Sequence, residues 1–410
     1  RKEFSLRKAQ QTLKKEVVHN YSLLYTWKGA HEARKPVLLM GHMDVVPIEP
    51  GTEHSWKHPP FSGKIAEGFI WGRGALDDKA CVMGILEAAE ELLRKGYRPD
   101  RTVYFAFGHD EEGGGAEGGA NIAKLLADRG VRLELALDEG GTVTEGVMKG
   151  IDAPVALVGM AEKGFLYLEL STESSGGHSA MPPRETALGI LCNAIATLEQ
   201  RQFPDRLTEL PRAMFEWIGP EMGLANRMVL SNLWAFGGIL KRQLAKNPST
   251  AAMLHTTIAP TMIQGSIKKN ALPIRASAII NFRIMPGETM ENVTEYMRNT
   301  IDDPHVTLKA VGLNNNPSPV SDISSPGFKT VHKTIGQMFP GAIVAPYLVM
   351  VRTDSRHYAP VADSVIRFMP CTMKPEDLAR IHGTNERIAL STYETYIKFY
   401  MQFIKNADMK

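Results

Sequence analysis

The stretch Val37-Leu38-Leu39-Met40-Gly41-His42-Met43-Asp44 joins an apolar run, typical of a buried β-strand, to a histidine and a carboxylate. Three more strand-like runs end in a similar way, before Asp110-Glu111-Glu112, before Asp138-Glu139 and before Arg352-Thr353-Asp354-Ser355-Arg356. In an open α/β sheet, ligands gather at the carboxyl ends of the strands, so side chains that are distant in sequence meet there. The pattern therefore predicts one site built largely from histidine and carboxylate side chains.

The order of strand and helix patterns predicts an α/β fold with a mostly parallel central sheet. Between residues 36 and 159, strand patterns alternate with helical ones, such as Asp78 to Lys95, where apolar residues recur at helical spacing before Gly96. This rhythm is typical of a sheet with helices on both faces. It returns after Pro317, so the beginning and the end of the chain are expected to share one sheet.

The rhythm changes between residues 162 and 313, where half-buried strand patterns and two helices predict an inserted α+β domain, called the insert below. We expect residues 1–161 and 314–410 to form one discontinuous domain that carries the predicted site. Within the insert, residues 205–260 are rich in Met, Trp, Phe and Leu. Two interpretations remain open: extra helical packing, or an apolar wall for a greasy substrate or a membrane-facing edge.

The overall composition excludes several classes of protein. The chain has 410 residues, of which 43% are hydrophobic and 22% charged, as in a globular protein of two domains. Its formal net charge of +2 gives no footprint for a nucleic-acid partner. No stretch of 18 apolar residues occurs, so no integral membrane segment is expected. Three widely spaced cysteines make neither a disulfide framework nor a thiolate zinc site.

The start of the chain supports two further expectations. Residues 1–15, RKEFSLRKAQQTLKK, predict an amphipathic solvated helix. Because the chain begins with Arg1 rather than Met, we expect it to be a processed or trimmed product. The residues themselves do not indicate a cellular compartment.

The residue types at the strand ends suit a pair of zinc ions. Asp77, Glu112 and Asp138 supply three negative charges and a bound hydroxide supplies the fourth, which balances two divalent cations in a low-dielectric cleft. Neutral His42 and His382 complete the two shells. Nitrogen and oxygen ligands suit zinc, and a position left to water is typical of a catalytic site. The sequence therefore predicts two Zn²⁺ ions per chain.

Three further side chains are candidate catalytic groups. Asp44 suits the acceptor that a metal-bound His42 needs at its other ring nitrogen. Glu111 precedes a proposed ligand and is free to act as the general base for an attacking water. His178 lies in the insert, so it can stabilise an oxyanion only if the insert closes over the site.

Three polar residues are candidates for binding the substrate. Asn270 and Arg283 lie in the insert, and Arg356 lies in the loop after the strand pattern that begins at Ile343. Arginine is the natural partner of a carboxylate end-group because its planar guanidinium binds both oxygens. We therefore expect these residues to recognise a substrate with a free carboxylate.

Structural roles are alternatives for several of these residues. Asp77 also suits the N-cap of a helix, a position that aspartate favours. Glu111 and Glu112 are alternatively a solvated pair in a loop. His109 and His357 are near the predicted site in sequence, and the pattern assigns neither of them a role.

These residues, in this order, resemble the di-zinc aminoacylase/carboxypeptidase family of metallopeptidases. The motifs that carry the resemblance span nearly the whole chain: His42-x-Asp44, Gly72-Arg73-Gly74-x-x-Asp77-Asp78-Lys79, Glu111-Glu112, Asp138, Gly177-His178-Ser179 and His382-Gly383. Longer stretches resemble the branch that contains carboxypeptidase S and the N-fatty-acyl-amino-acid synthase/hydrolases: Trp56 to Asp78, Phe107 to Glu112, Asn281-Phe282-Arg283 and Ile381-His382-Gly383-x-Asn385-Glu386.

The resemblance implies a role for each ligand. Asp77 would bridge both metals, with His42 and Asp138 completing one zinc and Glu112 and His382 the other. Among the remaining residues, the resemblance makes Glu111 the acid/base.

The resemblance also implies features that the residue pattern does not show. The insert would be a lid and dimerisation domain, and His178 would often reach the site of a partner subunit in a homodimer. The peptide bond between Asp77 and Asp78 would be cis, and the location would be secreted or extracytoplasmic.

Two departures from the family pattern affect the expectations. The region before the first strand is short. Arg352 stands where relatives commonly carry small residues, and it either alters the substrate pocket or points away from it.

The expected function is zinc-dependent hydrolysis of the amide bond in N-acyl amino acids. The apolar segment 205–260 favours substrates with apolar or fatty acyl groups. The first alternative is a carboxypeptidase that acts on dipeptides or short peptides with the same catalytic residues. The second is a metal-free homologue that only binds a partner, against which the complete ligand set argues.

Overall fold

A computed structural model describes residues 12–148 and 150–409 of the chain. Its strands are β1 (Leu13–Val18), β2 (Ser22–Trp27), β3 (Val37–His42), β4 (Lys64–Ala66), β5 (Phe69–Trp71), β6 (Val103–Gly108), β7 (Leu135–Asp138), β8 (Val143–Thr144), β9 (Val155–Glu162), β10 (Gly164–Glu173), β11 (Gly177–His178), β12 (Thr257–Gln264), β13 (Ala271–Leu272), β14 (Arg275–Ile284), β15 (Thr307–Ala310), β16 (Ile343–Val349), β17 (Val365–Arg367), β18 (Thr372–Met373) and β19 (Arg387–Ala389).

The helices connect and cover these strands. They are α1 (Lys79–Arg94), α2 (Gly119–Asp128), α3 (Ala187–Gln200), α4 (Glu209–Ile218), α5 (Leu224–Leu230), α6 (Leu233–Leu244), α7 (Pro248–Ala251), α8 (Met290–Ile301), α9 (Pro326–Met338), α10 (Pro375–Leu378) and α11 (Leu390–Asp408). Short 3₁₀ helices lie at Glu53–Ser55, Gly219–Glu221 and Asp354–Tyr358.

The central sheet has the strand order β1-β2-β6-β3-β7-β17-β9-β8-β18, and β16 also pairs with β9. β3 pairs in parallel with both β6 and β7, and β17 continues the parallel pairing beside β7. The edge formed by β1 and β2 is antiparallel. The predicted α/β fold with a mostly parallel sheet is therefore confirmed.

Burial explains why β3 occupies the middle of this sheet. All six of its residues are buried, as expected for an apolar strand with a parallel neighbour on each side. Helix α1 packs on β3 through a buried face that includes Ile85, Ala89 and Leu92. The chain then leaves the helix at Gly96, whose φ of +75° is a left-handed conformation that glycine adopts without strain.

A second sheet lies within the insert. It is antiparallel with the order β12-β14-β10-β15, and strand β14 alternates buried and less buried residues along its length. Apolar side chains of α3 and α8, such as Leu191 and Met297, share a core with Leu168 and Ile280 of this sheet. The insert therefore has the expected α+β character, and its exact boundaries at 162 and 313 stay a prediction.

Two local predictions were wrong. Residues 13–15 belong to strand β1, which pairs antiparallel with β2, although the sequence of residues 1–15 has a helical pattern; residues 1–11 of that pattern lie outside the described residues. The sequence from Gln264 to Lys268 also predicts a strand of the insert, whereas the strand of this region, β12, ends at Gln264. In both cases pairing with a neighbouring strand overrides the local pattern.

The apolar segment 205–260 divides into packed and exposed parts. Met214 and Ile218 of α4 share a core cluster with Ala345 of β16, so this helix packs against the central sheet. On α5 and α6, Leu224 and Trp234 are 76% and 85% exposed. Extra helical packing therefore describes α4, whereas an apolar surface describes the outer faces of α5 and α6. Among the described helices, none has the length and apolarity that a membrane crossing needs.

Candidate metal centre and active site

Three neighbouring strand ends deliver most of the candidate ligands. His42 is the last residue of β3, Glu111 and Glu112 follow β6, and Glu139 directly follows β7. Since β3 lies between β6 and β7 and all three run parallel, their carboxyl ends open on the same edge of the sheet. The predicted convergence of these segments is a consequence of this strand order.

Asp77 reaches the same edge from a loop that Glu386 organises. Glu386 is fully buried, and its carboxylate accepts hydrogen bonds from Arg73 Nη1 (2.8 Å) and from the backbone N–H groups of Gly74 (2.9 Å), Leu76 (2.9 Å) and Asp77 (3.1 Å). A carboxylate with this many donors fixes the backbone of the loop that ends at Asp77. The sequence pattern gave Glu386 no role, although it lies in one of the family motifs.

The Asp77 carboxylate lies between two histidines. Its Oδ1 is 3.0 Å from His42 Nε2, and its Oδ2 is 3.1 Å from His382 Nε2. Glu112 Oε1 lies 3.2 Å from His382 Nε2, and Glu139 Oε1 lies 3.6 Å from His42 Nε2. These five side chains, called the ligand cluster below, form two groups that share Asp77. The Asp77–Asp78 peptide bond is cis.

Two consecutive carboxylates stand at the end of β7. Asp138 Oδ2 accepts a hydrogen bond from the backbone N–H of Ser355 (2.8 Å), while the next side chain, Glu139, faces His42. Consecutive residues in a strand point to opposite sides. Glu139 is therefore a further candidate ligand beside His42, and the role of Asp138 as a ligand stays a prediction.

The geometry and chemistry of the ligand cluster fit a metal. Two sets of ligand atoms each lie within 4.8 Å of one another: His42 with Asp77 and Glu112, and His42 with Glu111 and Glu139. Within the described residues, Glu111 Oε1 is buried and accepts no hydrogen bond, and Glu112 Oε1 is buried with only His382 Nε2 near it, at 3.2 Å and without hydrogen-bond geometry. Buried carboxylate oxygens without a partner are costly unless a cation binds them. Imidazole and carboxylate donors are a set that zinc accepts.

Asp44 supports both His42 and the loop after β6. Its Oδ1 lies 3.3 Å from His42 Nδ1, the ring nitrogen that faces away from the ligand cluster. The same carboxylate accepts hydrogen bonds from the backbone N–H groups of Glu111 (3.1 Å) and Glu112 (3.0 Å). One side chain thus orients a candidate ligand and holds the two consecutive glutamates in place.

Glu111 has the electrostatic properties of a proton-transfer group. Burial raises the pKa of the Glu111 carboxyl to about 8, and the negative charges of Asp354 and Glu112 act in the same direction. A bound cation would oppose these effects because positive charge favours the ionised carboxylate. Glu111 is therefore a group whose protonation responds to what lies in the site.

Two of the predicted residues in the insert lie together at the exposed antiparallel pair of strands β11 and β13. His178 is in β11, where its Nδ1 accepts a hydrogen bond from the backbone N–H of Ala180 (3.1 Å). The backbone carbonyl of Asn270 accepts from the N–H of Ser179 (3.2 Å). In the part of the chain that the structure describes, the candidate metal-binding groups include neither His178 nor Asn270.

The two predicted arginines are in different environments. Arg283 is half-buried in β14 of the insert and is likewise not part of the ligand cluster. Arg356 donates hydrogen bonds to the backbone carbonyls of Thr353 and Gly114. These bonds tie the glycine-rich loop at residues 113–119 to the 3₁₀ helix at 354–358, and a role of Arg356 in substrate binding stays a prediction.

Arg352 points toward the site, which decides between the two interpretations of this departure. Its Nη2 donates to the backbone carbonyl of Glu111 (2.9 Å), and its Nε lies 3.9 Å from Glu111 Oε1.

His109 and His357, to which the sequence pattern assigned no role, are not among the candidate metal-binding groups of the described residues. His109 Nδ1 is 2.7 Å from Ser22 Oγ, and burial lowers the pKa of His357 to about 4.

Comparison with known proteins identifies the family. Residues 38–406 match the family model described as peptidase family M20/M25/M40. The chain belongs to this family. In structure it resembles an M20 family metallo-carboxypeptidase from Sulfolobus solfataricus, with a TM-score of 0.69, 19% sequence identity and coverage of 99% of this chain and 93% of the other. At this identity the likeness supports the fold alone.

Two curated relatives of this M20 protein carry names from different substrate classes. "Probable carboxypeptidase S-like 2" of Dictyostelium discoideum is 41% identical over 98% of this chain and 77% of its own length. "N-fatty-acyl-amino acid synthase/hydrolase PM20D1.1" of Danio rerio is 42% identical over 96% of this chain and 77% of its own length. The family and these relatives make the protein a metallohydrolase that acts on amide or peptide bonds.

Proposed function

We propose that this M20 protein is a zinc-dependent hydrolase that cleaves the amide bond of N-acyl amino acids with apolar acyl groups. The observation that carries the proposal is the Asp77 carboxylate, whose two oxygens lie 3.0 and 3.1 Å from His42 and His382, with the buried Glu111 beside them. One carboxylate shared by two groups of ligands is the arrangement that a two-metal hydrolase requires.

The proposed ligand set assigns two zinc ions to each chain. Asp77 would bridge them, His42 and Glu139 would complete one site, and Glu112 and His382 would complete the other. Bound zinc would supply a Lewis acid for the substrate carbonyl and would lower the pKa of the attacking water.

The protein's own residues would move the protons and orient the groups. Glu111 takes a proton from the water that attacks the carbonyl carbon and delivers it to the leaving nitrogen as the amide bond breaks. Asp44 keeps Glu111 in place through the backbone N–H of that residue. His178 donates a hydrogen bond to the oxyanion, and it reaches the site from the insert of a partner subunit in a homodimer.

Two observations support an apolar acyl group. The Danio rerio relative is named for N-fatty-acyl amino acids. The outer faces of α5 and α6 carry exposed apolar side chains, among them Leu224, Met228, Trp234 and Ile239. Arg283 and Asn270 of the insert remain the proposed partners of the substrate carboxylate.

Replacing Glu111 tests the reaction. We expect Glu111→Gln to lower kcat by about 10²–10⁴-fold, the contribution typical of general base catalysis, without loss of bound zinc. The matched control is Glu117→Gln, because Glu117 is an exposed glutamate of the same loop. Near-wild-type turnover by Glu111→Gln would remove the proposed base, and zinc content measured on the same samples separates catalysis from metal binding.

A carboxypeptidase acting on short peptides is the second candidate, favoured by the name of the Dictyostelium discoideum relative. A substrate panel with one shared C-terminal amino acid separates the two, using long-chain acyl, acetyl and aminoacyl groups on its nitrogen. Our proposal expects the highest kcat/KM for the long-chain acyl substrate. If the dipeptide is cleaved faster than both acyl-amino acids, the carboxypeptidase interpretation replaces it.

A further inference from the structure

Arg352 lies where the ligand-bearing loops meet the base of the insert. It follows β16 and directly precedes Thr353, whose N–H and Oγ1 both donate to the fully buried Glu162 (3.1 and 3.0 Å) at the end of β9. Two residues further on, the N–H of Ser355 donates to Asp138 at the end of β7. The backbone that carries Arg352 is therefore anchored on both sides.

The guanidinium of Arg352 contacts the two consecutive glutamates. Its Nη2 donates to the backbone carbonyls of Glu111 (2.9 Å) and Glu112 (3.3 Å), and its Nε lies 3.9 Å from Glu111 Oε1. Asp44 holds the same two residues by their N–H groups. In the loop after β6, the backbone N–H groups of these two residues therefore donate to Asp44, and their carbonyl groups accept from Arg352.

The guanidinium also contacts the insert. Its Cζ lies over the ring of Phe165, near the start of β10, at 5.3 Å from the ring centroid, a cation–π contact. Gly114, with φ of +118°, provides the room for this arrangement, because a Cβ there would collide with Leu313 Cδ1 and lie 3.8 Å from Arg352 Nη1. Both chain segments at the base of the insert therefore approach Arg352.

We propose that Arg352 is a positioning residue that holds Glu111 for proton transfer and couples its position to the base of the insert. This inference rests on the proposed function, in which Glu111 moves the proton. Arginine suits both contacts, since its Nη2 group donates both bonds while its guanidinium carbon lies over an aromatic ring. Lysine carries a single ammonium nitrogen, which cannot occupy the donor position and the position over the ring at once.

The central experiment compares Arg352→Ala, Arg352→Lys and the wild-type enzyme with zinc bound. We expect Arg352→Ala to lower kcat by roughly 10- to 100-fold with KM changed by no more than about 2-fold, because a small displacement of a catalytic group costs rate rather than binding. Zinc content should stay at the wild-type level. Added guanidinium ion should restore part of the kcat of Arg352→Ala, whereas Arg352→Lys should remain slow and respond little to it.

The coupling to the insert is tested by Phe165→Leu, alone and combined with Arg352→Ala. We expect the double variant to lose less kcat than the product of the two single losses, since each change removes the same coupling. Arg94→Ala is the control, because this arginine is exposed in the last turn of α1, where it pairs with Glu91. Its kcat should equal that of the wild type.

Distinct outcomes overturn the inference and the proposed function. Wild-type kcat in Arg352→Ala, or loss of bound zinc in that variant, removes the positioning role while the wild-type reaction stands. A wild-type enzyme that cleaves none of the amide substrates, or a fully active Glu111→Gln, removes the proposed function itself. If Arg352→Ala fails to fold, Arg352→Lys decides, because unchanged kcat in that folded variant rules out the need for the guanidinium.

Discussion

The ligand cluster and the insert contribute predicted site residues under very different constraints. His42, Glu112 and Glu139 stand at or just after parallel strands of one sheet, and their side chains lie within a few ångströms of their partners. His178 and Asn270 lie at the exposed pair of strands β11 and β13 in the insert. Neighbouring parallel strands force their ends together, whereas residues of an inserted domain reach a site only through the docking of that domain or of a second subunit.

We expect the largest effects on zinc content and kcat/KM from substitutions at the adjacent carboxylates Asp138 and Glu139. We expect Glu139→Gln to lose one bound zinc and to lower kcat/KM by roughly 10³-fold or more, because a catalytic metal contributes several kcal/mol of charge stabilisation. Asp138→Asn should keep both zinc ions and lose about 10- to 100-fold, as for a residue that orients others. Zinc analysis and steady-state kinetics on both variants check this.

The two carboxylates could also respond in the opposite way. Full zinc in Glu139→Gln together with lost zinc in Asp138→Asn would return Asp138 to the ligand set. In that case, the order of the strands would not determine which of the two carboxylates binds the metal.

The next effect concerns the insert. We expect His178→Ala to lower kcat by about 10²–10³-fold, the usual loss when an oxyanion donor is removed. Mixing this variant with Glu111→Gln should recover about one quarter of wild-type activity after subunit exchange, since half of the dimers would hold one complete site in a two-fold assembly. Mixing with unexchanged, cross-linked subunits is the control.

Recovery of activity in the mixture would mean that the exposed His178 acts on the partner's site. A slow His178→Ala that no mixture rescues would place the histidine on its own subunit's site and require the insert to close. Wild-type kcat in His178→Ala would remove it from the reaction altogether.

The predictability of the site follows the same division. The buried runs before His42 and Glu111 predicted strand ends, and parallel pairing made those ends converge. The choice between Asp138 and Glu139 depends on which face the last strand residue presents, which a one-residue shift of register reverses. The sequence therefore located a candidate ligand position at this strand end, and the choice between the two carboxylates stays open to the zinc analysis above.

Glu386 shows what a residue pattern cannot reveal. It lies 309 positions from Asp77 and acts mainly on backbone N–H groups, which have no sequence signature. Similarly, the helical pattern of residues 13–15 gave way to strand β1 because β2 offers a partner for all six of its residues. Long-range pairing and backbone contacts set these features, and neither is encoded locally.

The third expected effect is on stability. Glu386→Gln keeps one acceptor oxygen but leaves buried Arg73 without its counter-charge and removes acceptors from the loop that ends at Asp77. We expect a loss of about 2–3 kcal/mol in the free energy of unfolding, near the upper range for hydrogen bonds to charged groups. Chemical denaturation of the zinc-free protein measures it. The exposed pair of Lys57 and Glu67 is the control, and Glu67→Gln should leave the free energy of unfolding nearly unchanged.

The last prediction concerns the pH dependence of stability at Lys163, where the central sheet joins the insert. Lys163 lies between β9 and β10, is buried, and donates to the backbone carbonyl of His255 (2.8 Å). Burial lowers the pKa of Lys163 to about 7; of the charges that face it, Glu288 opposes this shift and Arg283 adds to it. An unfolded lysine titrates near pH 10, so between about pH 7 and 10 the unfolded state binds the additional proton and stability rises with pH.

Lys163→Met cannot bind this proton, so its free energy of unfolding should lack that rise. We expect the wild-type value to gain on the variant by at most about 1.4 kcal/mol per pH unit from pH 7 to 9, with other titrations cancelling in the difference. Denaturant titrations at pH 7, 8 and 9 measure this, with the exposed Lys309→Met as control. A difference that stays constant with pH would mean that Lys163 keeps its charge in the folded protein, because water or Glu288 then reaches it at the base of the insert.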